Sequence, residues 1–290
     1  MANCIPPVTS AVLSPGTLPQ RLEALGWTRT VRVRGVVADG PAVAIVGARA
    51  ATQIGMDRAH ALAKHLAGRG VHVVSGGALG IDGAAHRGAL AGGGRTTVVL
   101  GSGLDVPYPA RHAPLFAQIL DEGGALVSEL EDDELPRRST FVQRNTLIAA
   151  LADAVLVIEA DVRSGSLSTA RAAQKLGRVV AAWPGTRGCD RLLATGAGIL
   201  ESARDADLAL AGTPRPVPVP ELDPVAVQIV AAIQGGAVGV DAIVDATGLA
   251  VRAVLRALPS ISLGIPSGTA ARPTSVGLAP NTRSLRGSSE

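Results

Sequence analysis

Apolar runs of four or five residues recur between positions 41 and 182, each followed by a glycine- or hydroxyl-rich turn and then by residues at helical spacing. Ala42 to Val46, Val71 to Val74, Thr96 to Leu100, Ala125 to Glu129, Ala154 to Ile158 and Val179 to Ala182 read as strands buried on both faces. Gly55 to Gly68, Ile81 to Leu90, Ala113 to Leu120, Arg144 to Leu151 and Ser168 to Leu176 read as the intervening helices. Such alternation predicts an α/β fold: a parallel sheet with crossover helices. Ligands of sheets of this kind sit beyond the carboxyl ends of the strands.

The flanks differ. Pro6, Pro7, Pro15 and Pro19 interrupt residues 1–40, leaving only Gln20 to Leu25 as a short helix, so this segment reads as an extension outside the main domain at 41–211. Pro214, Pro216, Pro218 and Pro220 stiffen a linker at 212–222. Within 223–260, Pro224 to Gln234, Val240 to Thr247 and Ala250 to Leu258 read as three helices, with Gly248 turning between the last two as in a helix-turn-helix unit. Residues 261–290 are rich in Ser, Gly, Pro and Thr without periodicity and are expected to be disordered.

Composition narrows the compartment more than the function. A formal charge of +3 from 27 basic and 24 acidic residues does not by itself call for nucleic acid, although Arg far outnumbers Lys and its forked donors suit phosphate. Two cysteines, Cys4 and Cys189, make neither a disulfide framework nor a zinc site, which fits a reducing, cytoplasmic setting. No apolar run is long enough to span a membrane, and no secretory leader is recognisable.

The chemistry gathers at strand ends. Gly47-Ala48-Arg49 follows a strand and precedes a helix, where backbone can approach an anion and Arg49 adds charge. Ser75-Gly76-Gly77 opens a second glycine-rich loop able to wrap phosphate, but no Gly-Lys-Ser/Thr follows, so it is not a Walker A loop. Asp82 and His86, four apart, could pair on one helix face. Phe141, Arg144 and Asn145 combine an aromatic with a guanidinium, as single-strand binding sites do; a core role for Phe141 is the competing reading. Ser164 and Gly165 lead into a helix that Ser168 or Thr169 could cap, and Glu159 could accept from a ribose or hold a loop. The fingerprint of a dinucleotide site is missing, the histidines lack ligand spacing for metal, and no nucleophile has a partner, so neither cofactor nor metal is expected.

Taken together, Val43 to Arg49, Val73 to Leu90, Gly94 to Pro109, Leu126 to Leu130, Phe141 to Leu151, Ala154 to Gly177 and Gly188-Cys189-Asp190-Arg191-Leu192-Leu193 resemble the DprA/Smf family of DNA-processing proteins. The resemblance implies an extended Rossmann-like sheet with helices on both faces, and a C-terminal winged-helix-like unit that here lacks its wing strands. It also implies binding of single-stranded DNA without base specificity, delivery of that strand to the RecA recombinase during natural transformation, and a homodimer, with no catalytic turnover. By the same resemblance Arg49, Ser75, Gly76, Arg144 and the Ser164-Gly165 loop line a phosphate pocket and Phe141 meets a base. Val142 and Thr146 stand where the family usually has Pro and Arg. The alternatives are a phosphoribohydrolase-like enzyme, whose Pro-Gly-Gly-x-Gly-Thr loop and Glu are replaced here by Arg163 to Thr169, and a scaffold that no longer binds DNA.

Overall fold

The computed structural model describes residues 9–218 and 223–264, which fall into two compact units, one ending at Pro218 and the other beginning beyond it. In the first unit nine strands form one sheet in the order β1-β2-β6-β5-β4-β3-β7-β8-β9. The six strands legible from their apolar runs are β3 (Ala42–Val46), β4 (His72–Gly76), β5 (Thr96–Val99), β6 (Ala125–Ser128), β7 (Ala154–Val157) and β8 (Val179–Ala182), all parallel to their neighbours within this set. Helices α2 (Gln53–Ala67), α3 (Ile81–Ala91), α4 (Ala113–Asp121), α5 (Arg138–Ala150) and α6 (Ser166–Lys175) connect them.

Alternation along each strand divides the core. Ala42, Ala44 and Val46 of β3 join Leu147 and Ile148 of α5 and Leu167 and Ala170 of α6 on one face. Val43 and Ile45 join Ala59, Leu62 and Leu66 of α2 and Ala85 of α3 on the other. The core is mostly aliphatic, with Trp27 and Phe116 its buried aromatics.

The described part of the extension expected over 1–40, residues 9–40, instead contributes strands to this sheet. After β1 (Ala11–Leu13) and α1 (Gln20–Ala24), β2 (Val31–Gly35) pairs antiparallel with both β1 and β6. Its Val-Arg-Val-Arg pattern buries Val31 and Val33 in the core while Arg34 binds Asp105 across 2.7 Å. β2 alternates apolar and polar positions, so it has no continuous apolar run to announce it. The far edge is completed by α7 (Arg187–Ala194), the two-residue β9 (Gly198–Ile199) and α8 (Ala203–Leu210), which the apolar-run reading also missed.

The chain runs outward from β3 through β4, β5 and β6, then returns to lay β7, β8 and β9 on the other side of β3. The direction of winding therefore reverses between β3 and β7, and a crevice opens beyond their carboxyl ends. The second unit holds α9 (Pro224–Gln234), α10 (Val240–Thr247) and α11 (Val251–Gly264), packed through Ala226, Ile229, Ile243, Val254 and Ala257. Gly248, at φ +69°, makes the left-handed turn between α10 and α11. The helix begun at Ala250 thus continues to Gly264, past the expected boundary at 260, and residues 265–290 of the expected tail lie outside the described residues.

Candidate nucleic-acid interface

A cavity of about 470 Å³ occupies the crevice. Its walls are Gly47 to Arg49 after β3, Ala78 and Asp82 at the start of α3, Phe141, Arg144 and Asn145 on α5, and Arg163 to Ser166 leading into α6. A second cavity of about 90 Å³ adjoins it and shares Arg49, Ala78, Phe141 and Arg144. Three guanidinium groups, Arg49, Arg144 and Arg163, thus face one carboxylate, Asp82. Arg49 and Arg163 are exposed and have no ion-pair partner among the described residues.

Phe141, Arg144, Asn145 and Ile148 reach the cavity together because α5 starts at Arg138, six residues before the expected helix. The spacing i, i+3, i+4, i+7 puts them on one helix face. Thr140 fixes this start: its Oγ1 accepts from Arg137 N at 3.1 Å and donates to Gly101 O at 2.6 Å. The polar first turns of α5 read as a loop because they face a cavity, not a core. Arg137, placed by sequence beside Phe141, leans to Glu134 at 3.6 Å and does not line either cavity.

Arg144 is buried at 7% exposure, and its Nη1 donates to Val99 O at 2.9 Å. It lies against Gly76: a Cβ there would collide with Nη1 and stand 2.5 Å from Asp82 Oδ2. Burial pulls the Arg144 guanidinium below its ordinary pKa, and Asp82 opposes that fall. Burial likewise pushes Asp82 up to about 6, against the pull of Arg144, the Ala78 amide and Arg49. Arg144 Nε has no hydrogen-bond partner among the described residues.

Other expected roles change. Ser75 is fully buried and donates to Ile45 O at 2.6 Å, so Ser75 and Gly76 support the floor and line neither cavity. Gly77 lines only the smaller cavity, backed by Phe116. Ala78 N donates to Asp82 Oδ2 at 3.3 Å, so this amide of the loop is taken within the protein. Gly80, with φ +78° and ψ −126°, takes a conformation open to glycine alone and turns the chain into α3. His86 does not pair with Asp82; its ring nitrogens lie 3.0 Å from Gly76 O and 2.8 Å from Thr96 Oγ1, and burial lowers its pKa to about 3.

The start of α2 is also taken. Thr52 caps it by accepting from Gly55 N at 3.0 Å, and the Glu159 carboxylate accepts from Thr52 N at 3.1 Å and Thr52 Oγ1 at 3.0 Å. Glu159 therefore holds a loop, and the positive end of α2 is neutralised within the protein. Gly47 still serves close packing, since a Cβ there would stand 2.9 Å from Ile81 Cβ and 3.0 Å from Glu159 O.

The helix start that borders the cavity is that of α6, whose first amides are engaged locally: Ser166 N donates to Ser164 Oγ at 3.3 Å, Leu167 N to Ser164 O at 3.2 Å and Ser168 N to Gly165 O at 2.9 Å. Gly165 occupies its cap position with no side-chain acceptor, so neither Ser168 nor Thr169 caps it, and Ser164 and Ser166 join hydroxyls at 2.6 Å beside the cavity. Asn145 Nδ2 donates to Gly165 O at 3.2 Å and so ties α5 to this loop. An anion here meets a helix dipole, two serines and guanidinium groups at once. Arg163, which lines the cavity, was absent from the residues expected to bind; a basic residue following a strand end was the available signal.

Comparisons with known proteins agree with this geometry. Residues 32–210 match the family of DNA recombination-mediator protein A, and residues 213–260 match the DprA winged helix domain. The chain is 49% identical over 170 residues to a DprA-type DNA processing protein of Mycobacterium tuberculosis, covering 57% of this chain and 43% of that protein. It is 48% identical over 146 residues to protein Smf of Escherichia coli, covering 50% and 39%. The chain thus spans less than half the length of these two relatives. Its structure resembles DNA processing protein A of Streptococcus pneumoniae at TM-score 0.64 and 34% identity, covering 68% of this chain and 73% of the other. It also resembles DNA processing protein A of Helicobacter pylori, described for its single-stranded DNA binding mode, at TM-score 0.64 and 29% identity, covering 73% and 99%. With a reversal-point crevice walled by arginines and a family match over more than half its length, the chain belongs to the DNA recombination-mediator protein A (DprA/Smf) family.

Proposed function

We propose that this protein binds single-stranded DNA through its sugar-phosphate backbone at the crevice and hands the strand to a RecA-type recombinase, acting as a homodimer and without turnover. The observation that carries the reading is the surplus of Arg49, Arg144 and Arg163 over Asp82 around the cavity at the start of α6. Guanidinium forks and a helix start recognise phosphate irrespective of sequence, which suits a carrier of any strand. The single-stranded DNA binding described for the H. pylori protein supports the strand type, and the family name supports the recombination role. Asp82, buried beside Arg144, is the single carboxylate among the lining residues, and this favours binding over a hydrolysis that relies on a free acid.

A band-shift with labelled single strands and unlabelled single- or double-stranded competitors tests the binding step. The expected result is efficient competition by single strands of any composition and weak competition by duplex. Equal competition by duplex, or no shift at all, overturns it. RecA filament assembly on strands pre-coated with other single-strand binding protein, with and without this chain, tests the delivery step.

A further inference from the structure

We propose that His86 and His112 are positioning residues for nucleic-acid binding: by donating to the carbonyls of Gly76 and Gly77 they hold both oxygens away from the crevice and fix the floor beneath Arg144. The proposal rests on the single-strand reading above and adds what holds that site in shape.

A Gly-Gly pair is the freest backbone a chain can offer, so its peptide planes turn easily unless something fixes them. Here three consecutive residues are fixed by three side chains. His86 Nε2 lies 3.0 Å from Gly76 O, His112 Nδ1 lies 3.0 Å from Gly77 O, and Ala78 N donates to Asp82 Oδ2. A carbonyl only accepts, so His86 carries a hydrogen on Nε2 and His112 carries one on Nδ1. Burial lowers the pKa of both rings and so keeps them neutral, each with one hydrogen to give.

Both rings are built into the fold. His86 is fully buried on α3, and His112 ends the helical turn Ala110–His112 with its ring over Gly83, where a Cβ would stand 2.6 Å from Cε1. Phe116 meets His112 edge-on at 6.0 Å, and a Cβ on Gly77 would come within 2.8 Å of Phe116 Cζ. Neither histidine lines either cavity, so neither is placed to touch nucleic acid. What they control is direction. With the two oxygens drawn toward the imidazoles, the space over Gly76 is left to Arg144 and Asp82. A carbonyl turned the other way would set the negative end of a peptide dipole against a phosphate and crowd the Arg144 guanidinium.

The test uses the full chain and separates the donor from the ring. His112→Asn keeps a donor at the place of Nδ1, whereas His112→Phe keeps a ring without one. His112→Phe is expected to bind an oligothymidylate about tenfold more weakly, and His112→Asn to match the unaltered chain. His86→Leu and His86→Gln are expected to divide in the same way, with the folded state of each variant checked by circular dichroism. Nitrogen NMR of the unaltered chain alone reads the tautomers and decides the matter where a variant does not fold: the hydrogens are expected on His86 Nε2 and His112 Nδ1. Full affinity in a folded His112→Phe, equal losses in the Asn and Phe variants, or a His112 hydrogen on Nε2 overturns the positioning role while leaving the phosphate site standing. Failure of the unaltered chain to bind any single strand overturns both.

Discussion

Arg144 sits where a side chain at Gly76 would have to be: the guanidinium fills the space over that glycine, with Asp82 beside it and Val99 O accepting from Nη1 at 2.9 Å. A charged group is thus held at the cavity floor by backbone on one strand end and backbone on the next. Gly76→Ala is expected to displace Arg144, lowering stability by about 1–3 kcal/mol through overpacking and weakening single-strand binding together. Urea unfolding and band-shift on the same variant check both; a stable variant with full affinity contradicts the arrangement.

Asp82 titrates near pH 6 in the folded chain, above the ordinary carboxylate value of 3.8, because burial outweighs its cationic neighbours. The sign follows: the folded state favours the protonated form, so this group's contribution to stability is present below the ordinary value and fades as pH rises through about 6. A polyanion placed among Arg49, Arg144 and Arg163 raises the value further. Strand binding is therefore expected to take up a proton between about pH 6 and 7.5, and affinity to rise as pH falls across that range. Calorimetry at pH 6.5 in two buffers of different ionisation enthalpy measures this. Identical heats in both buffers contradict the placement of the strand beside Asp82.

Thr52 and Glu159 close the start of α2, and it is the start of α6 that borders the arginine-walled cavity. Thr52→Ala is expected to cost about 1 kcal/mol of stability, as loss of a helix cap does, with single-strand affinity unchanged. Thermal unfolding and binding of the variant separate the two helix starts. A large loss of affinity would return the anion to α2.

Much of this was legible in the chain. The six central strands announce themselves because burial on both faces leaves unbroken apolar runs, and Arg49, Arg144 and Ser164 stand out because charge and hydroxyls follow those runs directly. Strand β2 stayed hidden by its alternation, and β9 by its length of two residues. Ser75 looked like a ligand group because its position at a strand end is right; which way its hydroxyl turns depends on Ile45 across the sheet. What surrounds Phe141 could not be read along the chain, since Arg49 and Gly101, which pack on its ring, come from loops 92 and 40 residues away. Tertiary placement of this kind leaves no local signal.

Three guanidinium groups in the crevice are proposed to hold the strand, and salt dependence reads their number. Dissociation constants for an oligothymidylate across a salt series, in the unaltered chain, Arg49→Ala and Arg163→Ala, decide whether they do. The expected result is a fall of log affinity with log salt of slope about −2, made shallower by about 0.7 in each variant. A flat salt dependence, or variants that keep both slope and affinity, would contradict it.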